Sequence, residues 1–539
     1  MRSVPTVAAV LALGLAVSVV VAQSPVQTTP ATDAVHQLTG IFPEGTRWRI
    51  QAPPNWNGTL FLDLDGAGFV GPAGGAPMAG PARAFDDWLL SQGYALGGTT
   101  REPVGYDFPR AVDNLLKVRQ LFTEKWGPPK RTLMKGMSRG AFAVRMALEL
   151  RPDVFDGGVM SAGGGAGEIA VLNNKLNALF VLKTLVDPAA PLKLVDIDPQ
   201  AEQAALNALL ARANASPQGR ARLALAAAVE QYARWTSRSK RRPAPTDYDG
   251  VVDQIVESFG FGAAVPVRAG VEKVAGGNVS WNTGVDYGAL LRRSGRRAMV
   301  EALYRKAGLS LQDDLATLAA APRIQANPAA VRRAEPLMTY TGRIADPLVN
   351  LDNDDPVDPA SDKLAYVQTL KKAGTAGNFR LIWVDVPGHA GMSDLDRAVS
   401  VQLLVNRLDT GRWGDTSLPA LKKLADQIAG GTSLKLGQSA LFEPGRLPEP
   451  SNVWDVSNWA TYRANAATDS PDNLEPGRQG ETLPGEAKVL DRPYSRGVRL
   501  IGNWPRIVDI RNPANPVEVA YFKPGDSRSG SPASRAASM

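Results

Sequence analysis

Apolar residues fall along this chain in two rhythms, and the rhythm changes twice. Up to about residue 166, short apolar runs alternate with longer stretches whose apolar residues recur every three or four positions. Residues 59–64, 94–98, 132–134 and 156–162 are the short runs. They predict buried strands, because a strand covered on both faces needs no polar alternation. Residues 46–51 alternate as a half-buried strand does. Residues 85–92 and 110–126 predict helices, the second with Val112, Leu115, Leu116, Val118 and Leu121 along one side. Residues 141–150 predict another, with Phe142, Met146 and Leu150 four apart. Strands alternating with helices at this spacing predict an α/β chain: a mostly parallel sheet with helices on both faces.

From 167 to 330 the strand rhythm fades and helical patterns take over, at 169–185, 199–214, 217–235, 248–259 and 287–306. Ala204, Ala205, Ala208, Ala211 and Ala213 add helix propensity. This stretch is expected to be a helical cap or lid inserted between sheet strands. It separates a first core segment, 23–166, from a second, 331–415. In the second, 348–351 and 379–384 predict strands, and 361–374 and 393–408 predict helices. Residues 416–524 form an expected C-terminal extension, with a helix at 418–429 and a β-hairpin of strands 498–510 and 516–522. The small, polar tail 525–539 predicts disorder.

Composition narrows the class. The 539 residues are 44% hydrophobic and 21% charged, which is globular usage. A net charge of +7 is modest for this length and does not point to nucleic acid. The basic clusters at 238–242 and at Arg292, Arg293, Arg296 and Arg297 are expected to be solvated faces. The chain has no cysteine, which excludes disulfides, thiolate metal sites and a cysteine nucleophile. One positive charge, an apolar run over 4–21 and the small Ala22 predict a signal peptide over 1–22, hence a secreted or periplasmic protein. No later apolar run reads as long enough to span a bilayer, so no stable membrane insertion is expected after cleavage. There is no P-loop and no G-x-G-x-x-G after a first strand, so no cofactor is expected. The acidic stretch 352–358 does not have calcium-loop spacing, and no metal is expected.

Candidate chemistry centres on Gly136-Met-Ser138-Arg-Gly140, between a predicted strand and a predicted helix. A serine at such a turn projects its Oγ from the top of a sheet, and the flanking glycines avoid collisions with strand and helix. The N–H of Arg139, at the helix start, is placed to stabilise an oxyanion. A second donor is expected from the glycine-rich loop after strand 59–64, at Gly66 and Ala67. The chain has two histidines, His36 and His389. His389 stands in a Gly-His loop after a predicted strand and before a predicted helix, on the same sheet edge as Ser138. The acid that orients it is expected in the loop after strand 348–351, which offers Asp352, Asp354, Asp355 and Asp358. Asp355 is the first choice and Asp352 the second.

The order Ser138, Asp355, His389 is the nucleophile–acid–base order of one fold. Over residues 40 to 415 the chain resembles a secreted α/β-hydrolase of the serine esterase and peptidase type. Trp56-Asn-Gly-Thr-Leu60, the 136–140 elbow, Gly342-Arg-Ile344, Asp355-Pro-Val-Asp-Pro359 and Pro387-Gly-His389 carry the resemblance. One departure is Asp65-Gly66, where family members often have His-Gly; the donor there is a backbone N–H, which the exchange leaves in place. The resemblance implies hydrolysis of carboxylic esters, small or polymeric, through an acyl-enzyme. A peptidase or aminopeptidase of the same fold and a non-catalytic binding protein are the alternatives. Residues 506–519 resemble a single LVIVD-type repeat of β-propellers, too few to close one.

Overall fold

The computed structural model describes residues 35–64 and 84–444, with short further strands at 27–28, 498–500, 506–509 and 517–521. The expected signal peptide, the Gly66–Ala67 loop and the tail 525–539 lie outside the described residues. In chain order the first elements are β1 (Gln27–Thr28), β2 (His36–Ile41), β3 (Arg47–Ala52), β4 (Thr59–Leu64), α1 (Ala84–Ser91), β5 (Ala95–Thr99), α2 (Phe108–Trp126), β6 (Arg131–Met137), α3 (Arg139–Leu150) and β7 (Gly157–Ser161). Helices follow: α4 (Glu168–Val186), α5 (Pro199–Asn214), α6 (Pro217–Val229), α7 (Tyr248–Gly262), α8 (Val265–Ala275), α9 (Tyr287–Arg293), α10 (Arg297–Ala307), α11 (Leu311–Ala320) and α12 (Pro328–Met338). The chain then returns to β8 (Leu348–Asp352), α13 (Ala360–Ala373), β9 (Phe379–Val384), α14 (Asp394–Thr410), α15 (Leu418–Gly430) and β10 (Leu441–Phe442), and closes with β11 (Val498–Leu500), β12 (Arg506–Asp509) and β13 (Val517–Tyr521).

The main sheet has the order β1-β2-β3-β5-β4-β6-β7-β8-β9-β10. From β5 to β9 every neighbouring pair is parallel, and the pairs outside that span are antiparallel. β4 shows why strands covered on both faces read as continuous apolar runs. Leu60, Leu62 and Leu64 face the cluster built with α2 and α3, while Phe61 faces the one built with α1 and α14. On the second face Asp63 is buried but paired with Lys135, at 2.9 Å, and Lys135 also meets Asp86 at 3.0 Å. Mostly parallel strands, helices on both faces and a strand-to-helix turn at Ser138 make this the α/β-hydrolase fold.

Most of the helices between β7 and β8 pack around an apolar cluster of their own, in which α4 and α6 contribute Leu176, Leu179, Leu223 and Leu225, while α12 and the start of α4 join the sheet's core. Several expectations fail here. The helix expected over 217–235 stops at Val229, because Gln231 takes a φ of 62° and the N–H groups of Thr236 and Ser237 donate to the Gln254 side chain, at 3.2 and 2.8 Å. The helix expected over 287–306 is two helices, broken at Gly295 with φ of 68°. α8, α11 and α12 were not expected. Neither was β2, which places His36 on a sheet strand. α4 is long and apolar enough to cross a membrane, contrary to the sequence reading, but it is mostly buried inside the protein. Arg296 is not on a solvated face: its Nη2 donates to the Tyr232 carbonyl at 3.2 Å and lies 3.8 Å from Asp354. The strand expected over 498–510 is two, so β11, β12 and β13 form a three-stranded sheet rather than a hairpin.

Candidate active site

Ser138 stands between β6 and α3 with φ of 55° and ψ of −122°, a conformation that costs a non-glycine residue energy and is held by its surroundings. Its N–H donates to the Ser161 carbonyl on β7 at 2.9 Å, and its carbonyl accepts from Ala141 at 2.9 Å. A Cβ on Gly136 would lie 2.3 Å from the Gly140 carbonyl oxygen, so only glycine lets the strand and the helix start approach this closely. Gly158 on β7 admits Val144 of α3 in the same way, since a Cβ there would lie 2.7 Å from Val144 Cγ1. The tight packing of α3 on two strands lifts Ser138 to the carboxyl edge of the sheet.

His389 arrives from the loop between β9 and α14. Its Nε2 lies 2.9 Å from Ser138 Oγ. Its Nδ1 lies 2.8 Å from Asp355 Oδ2 and 3.0 Å from Oδ1. An ionised carboxylate only accepts, so the proton sits on Nδ1 and Nε2 is free to accept from the serine hydroxyl. Asp355 is fully buried and accepts further from the N–H groups of Val357 at 2.7 Å, Asp358 at 3.3 Å and Ala390 at 3.3 Å. Burial acts to raise its pKa, but His389, the Lys363 cation and the Val357 N–H outweigh burial and hold it down at about 2. Burial acts to lower the pKa of His389; the charge and hydrogen bond of Asp355 outweigh it and leave the imidazole above its ordinary value.

The structure thus brings Ser138, Asp355 and His389 together from residues 251 and 34 positions apart. It separates them from Asp352, the second-choice acid. That carboxyl is buried, faces Lys363 at 3.4 Å and is pushed by burial up to about 7. Asp354 lies in the loop before α13 and accepts from the Ala360 N–H at the helix start, at 3.4 Å. Asp358 is buried rather than solvated, and its carbonyl accepts from Lys363. Arg139 is the first residue of α3, where a backbone N–H has no partner within the helix. Its side chain stacks 4.0 Å over the Tyr106 ring and donates to Tyr106 Oη at 2.8 Å. Gly66 and Ala67, the expected second donors, lie outside the described residues.

Supporting residues went unseen in the sequence. Asn353 Nδ2 donates to the carbonyls of Val386 and Gly388, both at 2.9 Å, and so ties the Asp355 loop to the His389 loop. Lys175 of α4, wholly buried, pairs with Glu230 at 2.5 Å and donates to the Val357 carbonyl beneath Asp355. Arg145 of α3 donates to the carbonyls of Gly164, at 2.9 Å, and Gly163, at 3.2 Å, fixing the loop that leads from β7 into α4. Nothing in the sequence marked Asn353, and nothing local marks a lysine of the inserted helices as a neighbour of a loop 182 residues away.

No family model matches the chain. An o-phthalyl amidase of Xanthobacter agilis is similar, 28% identical over 452 residues that cover 77% of this chain and 96% of that protein. Among solved structures, an esterase from Aspergillus oryzae is similar at 12% identity, covering 70% of this chain and 80% of its own, with a TM-score of 0.36. Feruloyl esterase B from Aspergillus oryzae is similar at 14%, covering 72% and 87%, with a TM-score of 0.35. These structural likenesses are distant, and the fold stands on the chain's own strand order and serine turn.

Proposed function

We propose that the protein is a serine hydrolase of acyl compounds, working through Ser138, His389 and Asp355 and a covalent acyl-enzyme. The observation that carries this is the pair of hydrogen bonds on the two ring nitrogens of His389, 2.9 Å to Ser138 and 2.8 Å to Asp355. His389 takes the proton of Ser138 as Oγ bonds to the acyl carbon. Asp355 keeps the ring in the needed tautomer and stabilises the imidazolium. The N–H of Arg139, with backbone donors of the Gly66–Ala67 loop, would hold the oxyanion. His389 then protonates the leaving atom, and water clears the acyl-enzyme through the same base.

Carboxylic esters are the first substrate class. Amides are the second, on one specific observation: the relative of Xanthobacter agilis is named for an amidase, and the similarity spans 96% of it. The inserted segment is read as a cap: Lys175 of α4 donates to the Val357 carbonyl and Arg238, between α6 and α7, donates to the Ala390 carbonyl. The N-terminal pattern supports export by a signal peptide. A fluorophosphonate probe is expected to label Ser138 alone. Ser138→Ala is expected to lose turnover by a factor on the order of 10⁴ or more. An alanine variant that keeps full ester and amide turnover would refute the assignment.

A further inference from the structure

The end of α7 is pressed against the site. A Cβ on Gly262 would lie 2.4 Å from the Pro356 carbonyl oxygen and 2.3 Å from Tyr232 Oη, so only glycine lets this helix reach the loop that carries Asp355. That approach fixes the residue before it. The Phe261 ring centroid is 5.9 Å from that of the His389 imidazole, with the two planes 61° apart. Phe261 is nonetheless 63% exposed. A single open apolar side chain is ordinary. What is informative is its position, since Val35 and Ile41 stand beside or on β2 and Leu150 at the far end of α3, whereas Phe261 faces the imidazole.

We propose that Phe261 is a specificity residue that packs against the leaving group and selects aromatic ones. The inference rests on the serine-hydrolase reading. The proton that His389 Nε2 takes from Ser138 as the Oγ–acyl bond forms passes to the leaving oxygen or nitrogen as that atom's bond to the acyl carbon breaks. The leaving atom must therefore come within hydrogen-bond reach of Nε2, and the group attached to it lies beside the imidazole, where the Phe261 ring stands. Phe261 also walls a cleft between α5 and α7, with Gln203, Asn207, Leu210 and Val256. A ring packed on a ring favours offset or edge-on contact and adds to plain burial.

The test compares the wild type with Phe261→Ala, Phe261→Leu and Phe261→Trp on phenyl acetate, methyl acetate and methyl benzoate, three esters that separate the leaving group from the acyl group. Because the side chain is largely open, the variants are expected to keep the wild-type melting temperature. For Phe261→Ala, kcat/KM on phenyl acetate is expected to fall about five- to ten-fold, mostly through KM, with Trp restoring it and Leu restoring it in part. Both methyl esters are expected to stay within about two-fold. An equal loss on all three esters, carried by kcat, would show that the ring merely steadies His389 and would overturn the proposal. So would a loss confined to methyl benzoate, or no change at all. If the wild type turns over none of the three and the fluorophosphonate leaves Ser138 unlabelled, the hydrolase reading itself falls and this inference with it.

Discussion

His389 meets opposite influences, and its chemistry depends on which wins. Burial alone would keep the ring neutral to lower pH, but the Asp355 carboxylate reverses the net shift and lifts its pKa above 6.5. The ring must be neutral at Nε2 to act as base. The acid limb of kcat/KM is therefore expected to have its midpoint above pH 6.5, read from a pH–rate profile on a small ester. Asp355→Asn removes the group that raises the value, so the limb should move to lower pH while kcat falls by about 10⁴ through loss of the tautomer. A limb that stays in place in that variant would mean that another group titrates there. The sequence showed Ser138, Asp355 and His389 because each sits in a short motif at the end of a strand. It left Asp352 open because the loop's acids look alike in one dimension. Lys363, which occupies Asp352, decides between them only once α13 folds back over the loop.

At the scale of elements, the site depends on how closely α3 lies on β6 and how firmly α4 grips the Asp355 loop. Gly136→Ala would put a methyl group 2.3 Å from a backbone oxygen, a position that no side-chain rotation relieves. It is expected to cost about 1–3 kcal/mol of stability, measured by denaturant unfolding, and to lower kcat by displacing Ser138. Wild-type stability and kcat in that variant would contradict the packing argument. Lys175→Met would leave Glu230 buried without its cation. Removing one partner of a buried pair costs about 3–5 kcal/mol, and the double change with Glu230→Leu is expected to recover part of it. If the double variant is no more stable than the single one, the unpaired Glu230 charge is not the source of the loss. The strands and long helices were legible because their periodicity is local. The break at Gly295 and the early end of α6 were not, since apolar spacing continues through both and the chain turns where a glycine φ and the side chain of Gln254 take over.

For the whole molecule, buried carboxyls tilt stability toward acid. Burial, reinforced by neighbouring carboxylates, pushes Asp352 and Asp362 up to about 7 and Glu168 up to about 8. In the fold each keeps its proton at a pH where the unfolded chain has released it. Its contribution is therefore full below the ordinary carboxyl range and is lost as pH rises through the folded value. The raised value of His389 acts in the same direction. Asp355, held at about 2, acts oppositely: its contribution is present above the ordinary 3.8 and is lost as pH falls toward 2. The melting temperature is thus expected to be highest near pH 4–5, by the carboxyl range, and to decline toward pH 9, whereas activity rises over part of that span. A melting temperature flat or rising between pH 5 and 9 would show that these carboxyls are solvated or paired in a way that cancels their burial.

The one-dimensional order of residues was enough for the α/β alternation, the run of helices between β7 and β8 and the candidate residues Ser138, Asp355 and His389, because each element or motif is recognised from spacing within a dozen residues. It could not show that α7 ends against Pro356, that Asn353 joins two loops, or that a lysine of α4 lies under the acid of the site. Those contacts join positions dozens to nearly two hundred residues apart. Chain folding alone sets such distances, since no local pattern encodes which buried charge will meet which loop.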